Sequence, residues 1–222
     1  MTPKKYTTVL FDFDGCIADT LPIWLRSFRK IYDDMGIDIS DREIIDKSFH
    51  RWDEVKEIKI PDIDLFAKTL YTYFNTYSKD LALHEGIIES IHSLREQGIK
   101  TAVVTSTLRE TIDEKLDHLN MSHLFDTVLA WEDTEKNKPD PEPILEAMKR
   151  LSADPDETIM IGDNEVDIIS AHKAGATSIW YYPKVNEFYY PDNAFAHLKP
   201  DHTIGHFDEL EDIALDFTSS LR

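Results

Sequence analysis

Asp12 and Asp14 stand two residues apart at the end of an apolar run, TTVLFDF (7–13). On an extended backbone such a pair points the same way, and two carboxylates at that range raise one another's pKa unless a cation separates them. Asp163 closes another apolar run, ETIMIGD (157–163), and adds a third hard oxygen donor, the ligand type magnesium favours. Asp167, four residues on and so one helical turn away, is suited to orienting a metal-bound water or Lys138. Thr105 and Ser106 end a third run, KTAVVTS (100–106), and with the amides at the start of the next helix they can hold phosphate oxygens. Gly15 frees the turn after Asp14. Phosphoryl transfer needs little beyond an in-line nucleophile and fixed positive charge around the equatorial oxygens. Here Asp12 can attack phosphorus to form an aspartyl phosphate. Asp14 can protonate the leaving oxygen and then deprotonate the water that breaks the intermediate, while Lys138 and Mg2+ supply the positive charge.

These residues must be brought together by the elements that carry them. The three runs, with TSIWYY (177–182) and the weaker FDTVLAW (125–131), are continuous apolar stretches, as expected of strands buried on both faces of a parallel sheet. Helical patterns lie between them at 86–97, 109–119, 141–151 and 164–174. The first ends at Gly98, the last at Gly175, and the third opens with Asp140 as N-cap and Pro141 at its first position. Such alternation predicts an α/β fold with a Rossmann-like, doubly wound parallel sheet, whose ligands bind at the carboxyl ends of the strands. Asp12, Asp14, Thr105, Ser106, Lys138, Asp163 and Asp167 all fall at that edge. The alternation fails over 20–82, which holds helical runs such as LPIWLRSFRKIYDDM and IDLFAKTLYTYFNTYSKDL but no strand. A segment that long between strands is too long for a crossover loop. It predicts a small helical domain, 20–82, inserted into a core made of 1–19 and 83–222. The tail beyond 182 is aromatic at first and closes in a helix at 207–216.

Composition narrows the classes. Asp and Glu total 43 against 24 Lys and Arg, a net charge of −19, which argues against a general nucleic-acid surface. The same charge repels anionic substrates, though screening limits its reach to about 10 Å at ordinary salt. An anionic substrate therefore requires local positive charge. One cysteine, Cys16, permits no internal disulfide and fits a reducing compartment. No apolar segment is long enough to span a membrane. The expectation is a cytoplasmic protein, monomer or homodimer, acting on a small phosphorylated metabolite, with no nucleic-acid or membrane partner.

FDFDGCIADT resembles the first motif of the haloacid dehalogenase superfamily, VVTST its second, Lys138 in NKPDPEP its third and IGDNEVDIISAHKAGA its fourth. The four occur in order over residues 7–182, and the helical insertion after the first resembles the subgroup that includes phosphoglycolate phosphatase and β-phosphoglucomutase. The resemblance implies Asp12 as nucleophile and magnesium ligand, and Asp14 as acid/base that also binds metal through its backbone carbonyl. It implies Thr105 and Lys138 as phosphoryl-binding groups, with Asp163 on the metal and Asp167 supporting it. Cys16 departs from the threonine often found there, and reads as a small buried filler.

Residue types near these motifs select among reactions. The dehalogenases and phosphonoacetaldehyde hydrolases of the superfamily lack the second aspartate, whereas Asp14 is present here. β-Phosphoglucomutase carries a cap histidine ten residues after it, where this chain has Trp24, which cannot shuttle a proton. Hydrolysis of a phosphate ester is the expected reaction, on a phosphoglycolate-, sugar-phosphate- or nucleotide-like substrate. Pyrophosphate hydrolysis, a phosphomutase on the same core and a non-catalytic binding module are the alternatives. A receiver-type signalling domain is rejected by motif order. In the cap, His50, Arg51 and Lys56 form a basic cluster, in which Arg51 either grips a second anionic group of the substrate or belongs to an ordinary exposed helix. Trp24 lines the leaving-group pocket or packs the cap, and the aromatic residues of 181–195 serve packing or an oligomer contact.

Overall fold

The computed structural model describes residues 6–49, 58, 60, 62–190 and 194–215. His50, Arg51 and Lys56 lie outside the described residues. By its contacts the chain divides into two compact units, Met1–Ala18 with Leu83–Arg222, and Asp19–Ala82.

The first unit is built on a six-stranded parallel sheet. Its strands are β1 (Thr8–Phe11), β2 (Lys100–Val104), β3 (Thr127–Leu129), β4 (Thr158–Gly162), β5 (Thr177–Tyr181) and β6 (His202–Ile204), in the order β3-β2-β1-β4-β5-β6. β1, β2 and β4 lie at the middle, with Leu10 opposite both Ala102 and Met160. Helices α4 (Ile87–Glu96), α5 (Arg109–His118), α6 (Glu142–Leu151), α7 (Glu165–Ala174) and α8 (Asp208–Leu215) follow the strands. The core against one sheet face joins Leu10, Val104, Leu129 and Met160 to Ile144 and Met148 of α6 and to Ala171 of α7. The strand order reverses between β1 and β4, and the carboxyl ends at such a point are where a sheet of this kind binds ligands.

The elements follow the sequence pattern with two differences. Asp140 does not cap α6 from the N-cap position, which Pro141 occupies, although its Oδ1 still accepts from the Glu142 N–H at 3.1 Å. β6 was not expected, because a three-residue edge strand is too short to carry a periodicity.

The second unit consists of α1 (Leu21–Asp34), α2 (Asp41–Ser48) and α3 (Ile63–Tyr77). α1 and α3 bury Phe28, Ile31 and Tyr32 with Phe66, Leu70 and Phe74. Ser40 and Glu43 form a capping box at the start of α2, and the Tyr32 hydroxyl pairs with Ser48 Oγ at 2.7 Å. Trp24 stacks on Phe74 with ring centroids 4.0 Å apart and meets Tyr71 edge-on, so its indole packs this unit.

Leu10 is fully buried on the strand that carries Asp12. Leu10→Ala is expected to cost about 2–5 kcal/mol in urea unfolding. A cost below about 1 kcal/mol would mean that the β1 core is not packed as described.

Candidate active site

β1 ends at Phe11 and its partner β4 at Gly162, which brings Asp12 and Asp163 to the same edge of the sheet. The Asp12 N–H donates to Ile161 O at 2.9 Å and so continues the β1–β4 pairing by one residue. After Asp12 the backbone turns, with Ala18 N–H donating to Phe13 O and Gly15 N–H to Ala18 O. Gly15 has φ +91°, and a Cβ there would stand 2.4 Å from Asp163 Oδ2. Only glycine fits the conformation and the close approach together.

Asp12, Asp163 and Asp167 are buried, with carboxylate oxygens within 4.8 Å of one another. Lys138 lies against them, its Nζ donating to Asp12 Oδ1 at 2.7 Å, Asp167 Oδ1 at 2.6 Å and Val104 O at 2.8 Å. Those three bonds match the three N–H donors of an ammonium group. Asp167 is the third residue of α7, and its second oxygen accepts from the N-cap Asn164 N–H at 3.2 Å. α7 starts only at Glu165, so Asp163 and Asp167 do not share a helical turn. They are neighbours because the loop folds back over Gly162, where a Cβ would meet Asp167 Oδ2 at 2.2 Å.

Asp14 has partners of its own. Among the described residues the close-set carboxylate group is Asp12, Asp163 and Asp167, without Asp14. Instead its Oδ2 accepts from Thr107 Oγ1 at 2.7 Å, and its Oδ1 faces Lys115 Nζ at 3.2 Å. Thr105 is buried beyond the end of β2, and its Oγ1 accepts from the Thr107 N–H at 3.1 Å. Ser106 is exposed. Neither residue caps α5, whose N-cap is Leu108.

Thr107, Lys115 and Trp180 also reach the site, as does Tyr190, from the aromatic stretch expected to serve packing or an oligomer contact. Lys115 had a signal: it lies three residues after Ile112 and one before Leu116, the buried residues of α5, on the helix's inward side. Trp180 Nε1 donates to Asp163 O at 3.1 Å, and the Tyr190 hydroxyl to Asp163 Oδ2 at 3.4 Å. No spacing links that distant tyrosine to Asp163, and only the fold brings them together. Burial foremost, and then Asp163, push the Tyr190 hydroxyl well above its ordinary pKa, so it stays a donor.

The family model for haloacid dehalogenase-like hydrolases matches residues 9–181. The chain belongs to the haloacid dehalogenase-like hydrolases. It is an enzyme of the phosphatase kind. A relative from Halalkalibacterium halodurans, named pyrophosphatase PpaX, is 32% identical over 222 residues, 94% of this chain and 97% of its own. The protein of the same name from Bacillus velezensis is 31% identical over 187 residues, 79% of this chain and 82% of its own. The crystal structure of CbbY from Rhodobacter sphaeroides in complex with phosphate superposes with a TM-score of 0.75 at 22% identity, covering 96% of this chain and all of that one. Among the described residues, no helix is long and apolar enough to cross a membrane.

By their charges the residues of this site could hold a divalent cation. Four carboxylates, Asp12, Asp14, Asp163 and Asp167, meet two lysines, Lys138 and Lys115. Burial, only partly offset by Lys138, pushes Asp12 up to about 7, and burial with Asp12 pushes Asp163 well above its ordinary value. For Lys138 burial works against the charge, but Asp12 and Asp167 outweigh it and raise the pKa. Without a cation, Asp12 thus holds its proton to higher pH than a free carboxyl group. Asp12 binds more protons folded than unfolded between its ordinary 3.8 and about 7, so stability falls as pH rises through that window. A divalent cation replaces those protons. Magnesium is therefore expected to raise Tm more at pH 8 than at pH 5, as thermal unfolding with and without MgCl2 would read. An equal shift at both pH values would contradict this account.

Proposed function

We propose that this hydrolase is a magnesium-dependent phosphatase that moves the phosphoryl group of a small metabolite first to Asp12 and then to water. The observation that carries the reading is the buried Lys138, which fixes the Asp12 carboxylate at the sheet edge. A carboxylate oxygen of Asp12 attacks phosphorus, and the bond to the leaving oxygen breaks with its electron pair. Asp14 gives that oxygen a proton. Water then attacks the aspartyl phosphate and passes a proton to Asp14, while the bond to Asp12 breaks, restoring its carboxylate and releasing phosphate. Lys138 and Thr105, with Ser106 at the rim, hold the phosphoryl oxygens, and Gly15 lets the chain turn between Asp14 and Asp163.

Asp12 and Asp163, with Asp14 through its backbone, would hold Mg2+, and Asp167 completes the negative lining while holding Lys138. The close-set buried carboxylates support this assignment. When bound, Mg2+ would supply fixed positive charge for the phosphoryl oxygens and offset the carboxylates.

A phosphate monoester of the phosphoglycolate, sugar-phosphate or nucleotide type is the proposed substrate. Pyrophosphate enters beside it because a relative matching nearly the whole chain carries that activity in its name. Asp14 sets the reaction apart from dehalogenation, and Trp24, packed on Phe74, from the mutase. We assign substrate choice to the helical unit Asp19–Ala82, which we read as a cap.

Wild-type protein should hydrolyse p-nitrophenyl phosphate with magnesium and lose turnover when the metal is chelated. Asp12→Asn is expected to lower kcat by at least about 10³-fold. Equal turnover by the variant and the wild type would overturn the mechanism.

A further inference from the structure

Two lysines approach the carboxylates from different elements, and only one of them stands at the nucleophile. Lys138 spends its three donors on Asp12, Asp167 and Val104 O. Lys115 comes from α5 and stands with Asp14, its Nζ 3.2 Å from Oδ1 and 5.2 Å from the centroid of the Phe13 ring. Its side chain is 10% exposed, whereas those of Lys136 and Lys149 on the same unit are 70% and 78% exposed. A carboxylate and an aromatic face thus hold this ammonium group in place of bulk water. Thr107 holds the other oxygen of Asp14 at 2.7 Å, so the acid and the lysine form one fixed group.

We infer that Lys115 is a specificity-determining residue that favours a leaving group carrying its own negative charge, above all the second phosphate of a phosphoanhydride. The inference rests on the proposed roles of Asp12 and Asp14. An acid that protonates the leaving oxygen must come within hydrogen-bond reach of it. A cation in contact with that acid then lies close to the leaving group, whereas Lys138 is the lysine paired with the nucleophile. When Asp12 takes the phosphoryl group of pyrophosphate, the bond to the bridging oxygen breaks. Its electron pair leaves with inorganic phosphate, which collects the proton of Asp14 and keeps further negative charge. Lys115 offsets that charge as it develops, and a neutral alcohol gives it nothing to offset. In a chain of net charge −19, a fixed cation at this point also lowers the barrier to admitting a doubly charged leaving group.

The rival role for Lys115 is to orient Asp14, and the choice of substrates separates the two. Pyrophosphate and glycerol 2-phosphate both need a nucleophile and an acid, but only the first releases a charged product from the leaving side. Lys115→Met is expected to lower kcat/KM for pyrophosphate by about 10²-fold, and for glycerol 2-phosphate by at least about tenfold less than that. Lys115→Arg, which keeps the charge, should retain the preference for pyrophosphate. Equal losses on both substrates would assign Lys115 to positioning Asp14 and overturn the inference, as would no loss on either. Asp12→Asn, run in parallel, tells this failure from that of the proposed function. If it abolishes both turnovers while Lys115→Met slows them equally, only the role of Lys115 falls. If it changes neither, the nucleophile and the inference fall together.

Discussion

A lysine ammonium group buried among two carboxylates and a backbone carbonyl is the interaction on which the rest of the site depends. Lys138 comes from the loop before α6, Asp12 from the end of β1, Asp167 from the first turn of α7 and the Val104 carbonyl from the end of β2. Burying one of these charges alone would cost several kcal/mol, and removing a partner from such a group is severe for the same reason. Together they satisfy one another, and the four elements cannot shift independently. The sheet contributes what a surface could not, since β1, β2 and β4 are adjacent and in register, so their ends arrive at one edge.

Among the described residues that arrangement leaves an imbalance of charge. The carboxylates outnumber the lysines, and burial pushes Asp12 and Asp163 towards holding protons. The two glycines beside them tighten the crowding. Gly15 lets the turn approach Asp163, and Gly162 lets Asp167 fold back over the end of β4. A side chain at either position would push a carboxylate away from the cluster. The site is thereby built small and negative, a poor place for an anion unless positive charge comes with it.

Support arrives from parts of the chain with no chemistry of their own. Trp180 holds the Asp163 carbonyl from β5, and Tyr190, beyond that strand, reaches the Asp163 carboxylate. Tyr190 and Trp180 both pack with Phe195, so the aromatic stretch after β5 forms a small satellite cluster that carries the tyrosine inward. In the helical unit, Trp24, Phe28, Phe66 and Phe74 make a core of their own, with stacked and tilted rings.

The sequence by itself determined the α/β class, five of the six strands and the acids at the strand ends. A strand buried on both faces must be a continuous apolar run, and chain direction then says which residues lie at its carboxyl end. The helical stretch between β1 and β2 was equally legible, because its length and helical periodicity fit no crossover. Tertiary structure alone decided how the side chains pair. Lys138 and Asp12 are 126 residues apart, Lys115 and Asp14 101, and Thr107 and Asp14 93. Spacing along a strand placed Asp12 and Asp14 at one edge, whereas their partners, Lys138 for the first and Thr107 and Lys115 for the second, come from other elements. A local pattern fixes where a side chain begins, whereas its partner is set by which elements the sheet order makes neighbours.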